Sequence, residues 1–177
     1  KCRFRGYRNS VRGWFFFSVY ARRSAYGTGT LNVTDGGSVT QVGGMRVGQY
    51  GSGIGTMNIT SGGQVVNSQT GIIGFAAGST GTVNVDGAGS SWTNINTNIY
   101  VGYNGSGVLN ITNGGTVTAT YGKLSNGAGT SGTVLVDGAN SAWILTSKDS
   151  ANNSLYVGSK TSTGSGTLTI SNGGVVT

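Results

Sequence analysis

The chain of 177 residues holds 35 Gly and no Pro, and only 8% of its residues are charged, which excludes collagen and charge-driven disorder. The formal charge of +7 belongs to a short head: Lys1, Arg3, Arg5, Arg8, Arg12, Arg22 and Arg23 precede Tyr26, and after it Arg46, Lys123, Lys148 and Lys160 balance Asp35, Asp86, Asp137 and Asp149. That neutral body gives no ground for nucleic-acid binding, and Cys2, the only cysteine, allows no internal disulfide.

The first unit, residues 1–26, is basic and rich in aromatics: KCRFRGYRNSVRGWFFFSVYARRSAY. Four readings stand open. Composition changes abruptly at Gly27, which favours an upstream region translated in the wrong frame. The apolar run WFFFSVY followed by Val19-Tyr20-Ala21 resembles the end of a signal peptide, although Arg22 and Arg23 disfavour export. The head also suits a cap over the first edge of a repeat array. RNA contact through alternating Arg and aromatic side chains is the least favoured.

The second unit, residues 27–177, repeats. Copies open at Gly29, Gly55, Gly81, Gly107, Gly132 and Gly166, in steps of 26, 26, 26, 25 and 34 residues. A near-constant period marks a repeat architecture, and the long step contains TSKDSANNS, a loop insertion that a stacked core tolerates. Two residues after each opening Gly stand Leu31, Met57, Val83, Leu109, Val134 and Leu168. Four residues after it stand Val33, Ile59, Val85, Ile111, Val136 and Ile170. This alternation predicts a strand with those twelve residues inside as a core ladder. A turn of the DGG, SGG, NGG, DGAG or DGAN kind follows. A second strand then carries Val39, Val65, Val117 and Val176, with Trp92 and Trp143 one place further on in copies three and five. A third is suggested by Val47-Gly48, Ile73-Gly74, Val101-Gly102 and Val157-Gly158.

Three short strands in about 26 residues make one coil of a parallel β-helix, and coils stack about 4.8 Å apart. The fold class is therefore all-β, a β-solenoid of about six coils. One coil buries little, whereas several bury a continuous core. A β-propeller would need blades of roughly 40 residues.

The copies GSGTLTISNGGVVT and GSGVLNITNGGTVTAT, with LYVG or IYVG upstream, and the alternating VDGAGSSW and VDGANSAW copies resemble a bacterial repeat found in autotransporter passengers and in exosortase-sorted (PEP-CTERM) surface proteins. The resemblance covers about residues 27–177. It implies a right-handed parallel β-helix at the bacterial cell surface, in the outer membrane or outside the cell. The implied function is a structural or adhesive passenger segment. An autotransporter barrel or a sorting tail does not occur in this sequence, Thr177 falls inside copy six and Lys1 is not Met. The chain is accordingly expected to be a fragment, attached to a membrane only through a region beyond its C-terminus. Expected partners are host or neighbouring-cell glycans or proteins, with no nucleic acid.

No reaction is expected. The chain has no His and no Glu, which excludes a His-based triad or metal site, and its four Asp are poor candidates for the carboxylate pair of glycoside hydrolysis. No cofactor and no metal site is expected. Asp35, Asp86 and Asp137 suit turn chemistry, with incidental calcium contact as the lesser reading, and Asp149 lies in the insertion. The enzymatic alternative is a polysaccharide lyase or hydrolase, which rests on fold analogy alone. No apolar run reaches the roughly 18 residues of a spanning helix.

Trp92, Trp143, Tyr100, Tyr103 and Tyr156 are the candidate contact surface, with Tyr50 and Tyr121 nearby. For the two tryptophans, a role in widening the core is favoured over carbohydrate stacking. Thr30, Thr56, Thr82, Thr133 and Thr167 form an outward column, as do Asn32, Asn58, Asn84 and Asn110, and Thr34, Thr60 and Thr112. Such an array raises ice binding as a remote alternative to plain polar strand residues.

Overall fold

The structure is a computed structural model that describes residues 18–19, 27–41, 43–147, 154–158 and 163–177. Most of the head, Lys148, Asp149 and Lys160 lie outside the described residues, and so do the readings that rest on them.

Every described element is a strand. After β1 (Ser18–Val19), four full turns follow in sequence: β2 (Thr28–Val33), β3 (Ser38–Gln41) and β4 (Met45–Val47); β5 (Ile54–Thr60), β6 (Gln64–Asn67) and β7 (Gly71–Ile73); β8 (Thr80–Asp86), β9 (Ser91–Asn94) and β10 (Ile99–Val101); β11 (Ser106–Thr112), β12 (Thr116–Ala119) and β13 (Gly122–Leu124). Beyond them β14 (Ser131–Asp137), β15 (Ala142–Leu145) and β16 (Leu155–Val157) span the insertion, and β17 (Ser165–Ser171) and β18 (Val175–Val176) add two strands. Successive first, second and third strands pair in parallel and build three six-stranded sheets. The architecture is a parallel β-solenoid. The expectation of six coils is corrected in one respect: the last copy supplies two strands, so the stack of complete turns is shorter than the count of opening glycines.

Register follows the repeat. Gly29, Gly55, Gly81, Gly107, Gly132 and Gly166 are partners from rung to rung. So are Leu31, Met57, Val83, Leu109, Val134 and Leu168, and likewise Val33, Ile59, Val85, Ile111, Val136 and Ile170. The first ten of these twelve residues along the chain are buried. Each contributes roughly 1.5–3 kcal/mol by leaving water. Leu168 is half-buried and Ile170 is 49% exposed, because β17 has a neighbour on one side only among the described strands.

The opening glycine has a steric cause. The chain turns from the third sheet back into the first, and a Cβ on Gly107 would lie 2.7 Å from the Ile73 carbonyl oxygen. No side chain fits that approach.

Two coil types alternate in the middle of the stack. In copies one, two, four and six a residue at φ 49–54° (Asp35, Ser61, Asn113, Asn172) precedes a Gly of positive φ, giving a tight turn. Copies three and five have the longer DGAG or DGAN turn, and they interlock with the others in both directions. The Ser90 hydroxyl accepts from the Gly62 amide at 3.1 Å, and Ser141 accepts from Gly114 at 3.0 Å. Facing the other way, an Asp86 oxygen accepts from Thr112 at 2.6 Å and Asn113 at 2.7 Å. Asp137 accepts from Ser171 and Asn172 at the same distances.

Ser18–Val19 pair in parallel with Arg46–Val47. This part of the head extends the third sheet, where the sequence suggests that the head stands apart from the repeat.

Candidate contact surface

The third strands are three residues long, and their flanking residues point inward while the middle one points out. The outward column runs Arg46, Ile72, Tyr100, Lys123, Tyr156. Ile72, although outward, is only 7% exposed, so this face carries a covered apolar spot of its own.

A second column lies in the corner just after the Gly that ends the third strand. The Phe75 amide donates to the Gly48 carbonyl at 2.8 Å and the Tyr103 amide to Gly74 at 3.0 Å. These bonds set Phe75 and Tyr103 one rung apart, and their rings stack at 5.6 Å between centroids and 8° between planes. Tyr100 meets Tyr103 edge-on at 5.2 Å, a preferred aromatic arrangement. The Arg46 guanidinium lies 4.3 Å over the Phe75 ring. Lys123 Nζ lies 4.9 Å from the Tyr156 centroid, 5.7 Å from Tyr121 and 5.8 Å from Tyr100. Each such contact contributes about 0.5–1 kcal/mol at a partly exposed site. The Tyr121 hydroxyl accepts from the Asn98 amide at 2.6 Å. The result is one continuous stripe of cations and rings along the rod.

Two of the residues expected on a contact surface are elsewhere. Trp92 and Trp143 are fully buried. They occupy the same column as Val65, Val117 and Val176, and each fits because the preceding coil has a Gly beside it. A Cβ on Gly71 would come 2.8 Å from Trp92 Cζ2, and one on Gly122 would overlap Trp143 Cζ2 and lie 2.6 Å from its Cη2. Trp92 Nε1 donates to Asn67 at 2.7 Å. These tryptophans are core and stack on no external ligand. Tyr100, Tyr103 and Tyr156 do meet on one face. Arg46, Phe75 and Lys123 belong with them and do not stand out in the sequence taken one copy at a time. Aligning the copies on the apolar residue that ends each third strand, and reading the residue before it, brings Arg46 and Lys123 into the column of Tyr100 and Tyr156.

The other columns have internal partners. Asn58 donates to Asn32, Asn84 to Asn58 and Asn110 to Asn84, each at 2.8 Å, and Thr60 donates to Thr34 at 3.3 Å. Val108 interrupts the Thr column and Leu135 ends the Asn column. The hydrogen bonds from Ser171 and Asn172 hold the Asp137 carboxyl below its ordinary value of 3.8. Among the described residues no three His, Cys, Asp or Glu gather as metal ligands, and no helix is long and apolar enough to cross a membrane. The chain matches no protein-family model, no curated protein and no solved structure.

Proposed function

We propose that this chain is a structural segment of an exported bacterial surface protein, of the autotransporter-passenger kind, which extends as a stiff rod and presents an adhesive face. The observation that carries the reading is the combination of rung-to-rung register with an outward stripe of rings and cations. Stacked parallel sheets with a continuous core and side-chain ladders resist bending, which suits a spacer. The stripe follows the rod, so contact made along its length accumulates. The reading assigns no reaction to the chain, places it at the cell surface or outside the cell, and takes surface glycans or proteins as its partners.

Antibodies raised against the chain test it. They are expected to label intact cells of the bacterium that makes it, and protease added outside is expected to remove the label. Labelling seen only after the cells are permeabilised would overturn the reading.

A further inference from the structure

We infer that the stripe on the third sheet binds an acidic polysaccharide, a linear glycan bearing uronate carboxylates, lying along the rod axis. This rests on the proposal that the rod presents a contact surface. Three features of the stripe select that ligand.

The first is charge. Arg46 and Lys123 face outward on the third sheet, and both engage rings. The described carboxylates, Asp35, Asp86 and Asp137, stand where the first sheet turns into the second, across the coil from the stripe. The stripe is therefore locally positive on a body that is neutral as a whole, which draws a polyanion.

The second is shape. From Arg46 to Tyr156 the column crosses four inter-rung steps, roughly 19 Å at the usual strand spacing. It is one residue wide with a neighbouring column of rings. A long, narrow, shallow track fits a linear polymer better than a compact ligand, which takes a concave pocket.

The third is preorganisation. The rings are stacked or edge-packed and the cations rest on them, so little side-chain freedom is left to lose on binding. Ring edges and phenol hydroxyls offer C–H and hydrogen-bond contact to sugar, while the guanidinium and ammonium pair with the carboxylates.

The test is retention of the full chain on immobilised polygalacturonate, with dextran and poly-glutamate as comparisons. The variant R46Q/K123Q is measured beside it. Both are also measured with Arg3, Arg5, Arg8, Arg12, Arg22 and Arg23 replaced by Gln, which removes most of the head's own charge. The expected result is binding to polygalacturonate above both comparisons, weakened roughly tenfold or more in R46Q/K123Q. A retained cooperative melt shows that the variant is folded. Tyr103→Ala is expected to weaken polygalacturonate binding while leaving residual poly-glutamate binding unchanged. Equal binding to poly-glutamate would reduce the stripe to a simple anion patch and overturn the proposal. Equal binding to dextran, no binding to polygalacturonate, or an unaffected R46Q/K123Q in the head-neutral background would overturn it as well. Surface labelling that succeeds while this binding fails would sink the ligand and leave the surface-rod reading standing.

Discussion

Among the described residues, buried Trp143 Nε1 finds no hydrogen-bond partner, although the equivalent Trp92 Nε1 has one in Asn67. The difference is a single residue: the column that holds Asn67 and Asn94 continues as Ala119 in the coil before Trp143. A buried N–H left unpaired costs about 1–3 kcal/mol. Ala119→Asn should therefore stabilise the protein by about 1 kcal/mol, seen as a rise of about 2–4 °C in the melting temperature. The gain should vanish when Trp143 is also replaced by Phe; a gain that persists would place its origin elsewhere. Asp137 offers a second residue-level test. Its folded-state pKa is depressed below 3.8 by the bonds from Ser171 and Asn172, so its contribution is present above that value and is lost as pH falls through the lower folded value. Asp137→Asn should melt below the parent at pH 7, and the two curves should converge as pH drops below 3.8. A gap that stays constant down to the most acidic measurements would show that the charge does nothing there.

At the scale of strands, the pairing of Gly122 with Trp143 across two coils decides how large a side chain each can carry. Trp143→Val alone removes buried volume and should destabilise by about 3 kcal/mol. Gly122→Val alone forces a side chain into the indole and should cost about 1–3 kcal/mol. Made together, the two changes should cost less than their sum by about 1–3 kcal/mol, since each relieves the other; additive melting data would refute the fit. This exchange also explains what the sequence tells and what it withholds. The first strand is legible because its alternation is strict and its turn chemistry regular: Leu31 to Ile170 fall into their columns by inspection. The third strand is three residues long, and in copy four Ser125 replaces the Gly at a φ of 64°, so its repeat is easily missed. With it goes the column of Arg46 and Lys123, which are far apart in sequence and ordinary one at a time. For the tryptophans, the favoured role in widening the core agrees with their full burial, but the glycine that makes room for each lies 21 residues earlier in the chain, and nothing local in the sequence marks it.

At the scale of the whole rod, stability should depend on which coils meet as well as on how many there are. In a linear repeat the total is close to a sum of coil terms and nearest-neighbour interfaces. Copies three and five present Trp92 and Trp143 to a preceding coil that has Gly71 or Gly122. Two in-register deletions separate length from matching. Removing residues 80–105 takes out 26 residues and sets Val117 in the place of Trp92, beside Gly71 and Asn67. A void opens where the indole stood, and the Asn67 side chain loses its donor. Removing residues 80–130 takes out 51 residues and sets Trp143 in that same place, so it fills the space beside Gly71 and gains from Asn67 the acceptor it lacks in the parent. The longer deletion should therefore give the more stable protein, with a sharper thermal transition by circular dichroism, although it keeps one coil fewer. If stability instead falls in simple order of length, the interfaces between coils are interchangeable, and the alternation of coil types has no energetic role in holding the rod together.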